Sequence, residues 1–189
     1  MAFGSKYFGW LAAMAIVLGA GWLLLPEGYN TLIQWLAPLM GNYVRPTMVM
    51  VNLMLVNPLY NIPMVIVWAA AGFIGGIIAG TKKGAAVVGI FTWLASFLIL
   101  VFCVFMMLTA GFDLGSIPPM PPGSSLLDLL DIPLVQSVIG DIVPILMGGF
   151  GGGSFDPFTL LLPLVVWFVV PIVIVIVAGI IGAMIRPKE

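Results

Sequence analysis

Residues 157–185 read PFTLLLPLVVWFVVPIVIVIVAGIIGAMI, with no charged residue and no histidine. A helix needs roughly 20 apolar residues, at about 1.5 Å of rise each, to cross the hydrocarbon of a bilayer. This stretch exceeds that length. Pro171 falls midway and deprives one carbonyl of its helical donor, so that carbonyl needs another partner. Working outward, the chain has three more charge-free intervals of similar character, 7–26, 46–81 and 84–112.

The interval 46–81 is too long for one crossing, since as a straight helix it would reach about 54 Å against roughly 30 Å of hydrocarbon. It carries its own breakers, Asn57-Pro58 and Asn61-Ile62-Pro63. Proline cannot donate the helical hydrogen bond and disfavours helix in the residue before it. The crossing is therefore expected at 63–80. Residues 46–57 are expected to form a short apolar helix, either re-entrant or lying on the surface.

The composition agrees. Of 189 residues, 62% are hydrophobic and 7% charged, against about 25% charged in soluble domains. A water-soluble fold and a disordered chain are both excluded. The net charge of −1 gives no support to nucleic-acid binding. With no histidine and one cysteine, an intrachain disulfide, thiolate zinc, an iron–sulfur cluster and His-ligated haem or copper are not expected.

The fold class that follows is an all-α integral membrane protein, a single membrane domain over 1–189. It has four transmembrane helices at about 8–25, 63–80, 85–109 and 160–185. Amphipathic or re-entrant helices lie in outer segments 27–62 and 111–158. The first run is longer than a signal-peptide core, and no small-x-small site ends it, so it reads as a retained span. Four crossings put Lys6, Lys82, Lys83, Arg186 and Lys188 on one side and only Arg45 on the other, which makes the first side cytoplasmic. Both termini are expected there, in a cell membrane of prokaryotic type.

Residues 29–43 space polar and small side chains at helical intervals, with Trp35 and Tyr43 suited to the headgroup level, as in an interfacial helix. The prolines of 111–122 imply an extended strap. Ser124-Ser125 before Asp128 reads as a helix cap. Over 133–147, Gln136, Ser137, Gly140, Asp141 and Pro144 share one arc. Leu134, Val135, Val138, Ile139, Ile142, Val143, Ile145 and Leu146 cover the rest as an apolar docking face, either over the chain's own bundle or for another subunit. Residues 148–154, rich in glycine, read as a hinge.

Inside the four expected crossings there is no Asp, Glu, Lys, Arg or His. Proton relays, ion pumps and voltage sensors keep ionisable groups at membrane depth, so none is expected. Nor is an enzyme: no histidine is present to act as base, and Asp128 and Asp131 read as a cap or a solvated face. No cofactor and no metal are called for. The best-supported pattern is small residues at four-residue intervals: Gly72, Gly76 and Gly80; Ala85 and Gly89; Ala178 and Gly182; Gly179 and Ala183. Such faces let helix backbones approach. The first two groups are expected to meet each other, or a different subunit. Asn52, Asn57, Asn61, Thr92 and Ser96 are polar groups within reach of the membrane, able to bond a neighbouring helix or to line a narrow pore.

Two functions are consistent with these features. One is a non-catalytic accessory or structural subunit of a larger membrane complex, its partners being the bilayer and other integral membrane subunits. The alternative is a small homo-oligomeric channel or facilitator for a neutral solute. A third and weaker reading is Cu(I) handling by Met50 and Met54, four apart on one helical face, because thioethers are soft ligands.

Overall fold

The computed structural model describes residues 3–109, 119–150 and 157–187. Within them the chain is all-helical, and four helices are long and apolar enough to cross a membrane. The element order is α1 (Phe3–Leu23), α2 (Glu27–Met40), α3 (Val44–Met54), α4 (Ile62–Ala79), α5 (Lys82–Thr109), α6 (Pro133–Ser137), α7 (Val143–Phe150) and α8 (Pro157–Ile185). Short 3-10 turns occupy Gly41–Tyr43, Pro58–Tyr60 and Leu126–Asp131, and a π-turn, Val138–Ile142, joins α6 to α7.

The ends of these helices follow local chemistry. α1 stops at Leu23, short of the expected 25, because Pro26 restricts the residues before it. Asn61-Ile62-Pro63 separates α3 from α4, with Pro63 in the first turn of α4, where its missing N–H costs nothing. Gly80 terminates α4 with φ of 71° and donates its N–H to the Gly76 carbonyl at 2.9 Å. Left-handed backbone of this kind favours glycine.

Two expectations are corrected here. The 133–147 segment is not one regular α-helix, because the π-turn inserts a wider turn at Gly140-Asp141. The uniform periodicity on which the polar arc was read does not survive that insertion. The glycine hinge begins later than expected, since Gly148 and Gly149 are still within α7. Residues 151–156 lie outside the described residues, as does 110–118 of the proline-rich strap; 119–122 have no regular secondary structure. The Ser125 cap is present, on a 3-10 turn rather than an α-helix. Asp128 accepts from the Ser125 amide at 2.7 Å and from its hydroxyl at 3.2 Å.

The chain forms two compact units. The first comprises 1–24, 62–99 and 168–189; the second comprises 25–61 and 100–167. In the first, α4 lies against both α1 and α8 through different faces. A Cβ on Gly9 would sit 2.7 Å from the Gly75 carbonyl, and one on Gly75 would sit 3.3 Å from the Ala13 Cβ. On the other face, a Cβ on Gly72 would run into the Val175 backbone, one on Gly76 into the Gly179 backbone, and one on Gly182 into the Phe73 backbone. Backbone therefore meets backbone along both contacts, as small residues permit.

The second unit is built from shorter pieces. Its core includes Tyr29, Met40, Val44, Met50, Leu53, Met54, Ile132 and Trp167. Gly28 lets the start of α2 approach the 3-10 turn, since a Cβ there would lie 2.8 Å from both the Asp128 carbonyl and Ile132. Pro38 lies within α2.

Candidate functional site

The polar residues of the second unit converge on the loop between α3 and α4. Asn57 opens the Pro58–Tyr60 turn, its side-chain oxygen accepting from the Leu59 amide at 2.9 Å. Its side-chain amide donates to Asp141 Oδ2 at 2.7 Å, and its backbone N–H donates to Ser137 Oγ at 3.0 Å. The Ser137 hydroxyl in turn donates to the Pro133 carbonyl at 2.7 Å. Trp167 Nε1 donates to the same Asp141 oxygen at 3.0 Å. Two N–H groups thus meet one carboxylate oxygen, the stronger, charge-assisted kind of hydrogen bond.

Asp141 reaches this position from the π-turn, and Gly140 beside it leaves room for Tyr60, whose hydroxyl a Cβ at 140 would strike. The cluster closes a loop of irregular backbone onto α6, the π-turn and the first part of α8. Its chemistry is that of a clamp. The serine hydroxyl is engaged with a main-chain carbonyl.

A second polar pair ties the same loop to α3. Asn61 donates to both the backbone and side-chain oxygens of Asn52, each at 2.9 Å. Both residues are buried, and the Asn52 side-chain amide has no hydrogen-bond partner. Such a buried, unmatched donor is costly. Tyr29 is likewise fully buried with an unpartnered hydroxyl. Burial raises its pKa above the usual tyrosine value; the Leu134 backbone amide opposes the shift in part without reaching hydrogen-bond geometry.

Thr92 and Ser96 belong to the first unit and are fully buried. Thr92 Oγ1 donates to the Val88 carbonyl at 2.8 Å and Ser96 Oγ to the Thr92 carbonyl at 2.9 Å. The hydroxyls are turned back onto their own helix. Across helices, Ser96 Oγ approaches Met14 Sδ at 4.0 Å. Near Pro171 the Phe168 carbonyl accepts from Trp93 Nε1 at 3.2 Å, inside an aromatic group of Trp93, Phe97 and Phe168.

The small residues divide by partner. Gly72 and Gly76 face Val175 and Gly179 of α8, not Ala85 and Gly89. Gly89 meets Ile176 of α8, and a Cβ on Gly179 would lie 3.5 Å from the Ala85 carbonyl. Both α4 and α5 therefore approach α8 closely, and they meet each other where a Cβ on Gly75 would lie 2.9 Å from Val88. Gly80 is a terminator, and Ala183 is buried. Ala178 instead borders a shallow apolar groove with Ile66, Ala69, Ala70, Phe73 and Ile181. Along the expected docking face, Val138 and Ile139 are exposed and Leu134, Val135, Ile142, Val143, Ile145 and Leu146 are half-buried. Met50 and Met54 are buried, and no three His, Cys, Asp or Glu side chains converge among the described residues.

Sequence reasoning missed Gly9 with Ala13 and Gly75 with Ala79. The signal was present, since each pair is four apart on one helix face. It also missed Trp167 as the partner of Asp141, for which no local signal exists. Comparison with protein-family models, curated proteins and solved structures finds no match.

Proposed function

We propose that this chain is an integral membrane protein acting as a non-catalytic, structural subunit of a larger membrane assembly. The observation that carries the reading is the groove between α4 and α8. It is lined by Ala69, Ala70 and Ala178 together with Ile66 and Ile181, both at least half in the open. Elsewhere on these two helices small residues are covered by a close neighbour helix. Here they are left uncovered, and within a bilayer such a surface suits the approach of another transmembrane helix. The four long helices carry no Asp, Glu, Lys, Arg or His except Lys6 and the Lys82-Lys83 pair near their ends. That absence favours a packing role over charge transport. With four crossings, both termini lie on the Lys-rich, cytoplasmic side.

The hydroxyls of Thr92 and Ser96, which a pore would need, are occupied within their own helix. This weighs against the channel reading. The test is purification in mild detergent, native mass analysis and identification of every co-migrating chain. A different membrane subunit in fixed stoichiometry, lost on Ala178→Leu, supports the proposal. A homo-oligomer indifferent to that substitution overturns it and turns attention to solute flux.

A further inference from the structure

The first unit has a second concave surface, at the lysine-bearing end of α1 and α5. A cleft of about 270 Å³ is lined by Lys6, Tyr7, Trp10, Val87, Val88 and Phe91. Its walls are almost wholly apolar apart from Lys6. The Lys6 side chain lies along the start of α5, with its Cε 3.5 Å from where a Cβ on Gly84 would stand. Lys82 and Lys83, just before Gly84 in α5, are exposed. Tyr7 and Trp10 lie near one another, with ring centroids 5.8 Å apart and planes tilted by 43°. Tyrosine and tryptophan favour the headgroup level of a bilayer.

One wall group is incomplete. The Trp10 indole N–H is buried and has no hydrogen-bond partner. A buried donor left unmade costs about 1–3 kcal/mol.

We propose that this cleft is a binding site for one anionic glycerophospholipid. The charge complementarity is direct: Lys6 lines an apolar slot, and Lys82 and Lys83 are exposed at the start of α5, the helix whose Val87, Val88 and Phe91 line it. The lipid phosphate meets Lys6, with Lys82 and Lys83 adding to the positive field, and an acyl chain lies against Val87, Val88 and Phe91. Basic pockets next to transmembrane helices bind anionic headgroups in this manner. A zwitterionic lipid would fill the slot equally but offers no net charge to the lysines. Free phosphate would satisfy the lysines but leave the apolar walls wet.

The proposal rests on the membrane reading, and the experiment separates the two. Membranes containing the full chain are first washed with alkaline carbonate; release of the protein would overturn the membrane reading itself. The retained protein is purified in mild detergent, and native mass spectrometry counts lipid adducts with added dioleoyl phosphatidylglycerol and dioleoyl phosphatidylcholine. The expected result is one tightly held phosphatidylglycerol. Lys6→Gln should weaken it about fivefold, in line with the pull of one lysine on an anionic surface. The triple variant Lys6→Gln, Lys82→Gln, Lys83→Gln should bind the two lipids alike. Val87→Trp, at an exposed position, should fill the slot and remove the adduct with all lysines intact. Equal affinity of the wild type for both lipids overturns the proposal, as does a preference that survives the triple variant. So does lysine-dependent binding of inorganic phosphate that Val87→Trp leaves untouched.

Discussion

The two compact units hold themselves together differently. In the first, long regular helices meet backbone to backbone at Gly9, Gly72, Gly75, Gly76, Gly179 and Gly182, and few polar side chains reach between them. In the second, short helices and turns are joined by side-chain hydrogen bonds, chiefly Asn57 with Ser137 and Asp141, Trp167 with Asp141, and Asn61 with Asn52. The difference follows from backbone regularity. A long helix satisfies its own N–H and C=O groups, so neighbours need only fit its shape. A broken segment leaves peptide groups and turns that must be pinned by side chains.

The comparison is broken most sharply at Gly76. Gly76→Val places side-chain atoms on the Gly179 backbone, which cannot rotate away as a side chain would. The expected loss is about 4 kcal/mol, above the common overpacking range of about 1–3 kcal/mol. It would be read as a lower unfolding midpoint in a mixed-micelle titration. Gly4→Val, where nothing lies nearby, is the matched control. A loss no larger than the control's would mean that the α4–α8 approach is not tight.

The second unit is tested at Asp141. Asp141→Leu removes the acceptor of two N–H donors, with an expected cost of about 2 kcal/mol, since the site is part-exposed. Asp141→Asn keeps an acceptor oxygen and should cost less than half as much. Equal effects of the two would show that the carboxylate's charge, not the acceptor, is what the cluster uses. A smaller effect is expected at Gly80, where φ of 71° is strained for any residue with a Cβ. Gly80→Ala should cost about 1 kcal/mol, while Gly19→Ala, in open space within α1, should be neutral or better.

The two kinds of packing were unequally legible in the sequence. Four helices of crossing length can be seen in 7–26, 46–81, 84–112 and 157–185, because charge-free length is a property of the line of residues. The breakers at Asn57-Pro58 and Asn61-Ile62-Pro63 place the end of α3 and the start of α4 for the same reason. A smooth helix face is equally visible, but its partner is not. Gly72 and Gly76 could seat α5 or α8 with equal ease, and only the three-dimensional arrangement chooses α8. The clamp is less visible still. Asn57 and Asp141 are separated by 84 residues, and the π-turn that presents Asp141 differs from an α-turn by a single backbone register.

The finest distinction lies at Tyr29, the second unit's one fully buried tyrosine. Its hydroxyl lacks a partner, so the unit's reliance on side-chain hydrogen bonds fails at this position. Tyr29→Phe removes an unmatched polar atom and should raise stability, by about 0.5 kcal/mol near neutral pH. The pH dependence is more diagnostic. Unfolded, the tyrosine ionises near its ordinary value of 10.0; folded, burial keeps it protonated to higher pH. Above that ordinary value the unfolded chain has released a proton that the folded chain retains. Stability must then fall as pH rises, with a limiting slope of about 1.4 kcal/mol per pH unit. Phenylalanine has no proton to lose, and every other titrating group is common to both proteins. The advantage of the variant should therefore widen by roughly 1.4 kcal/mol between pH 8 and pH 11. Unfolding midpoints of the two proteins that run parallel across that range would mean that the Tyr29 hydroxyl is solvated or paired in the folded state, and the contrast between the units would lose this exception.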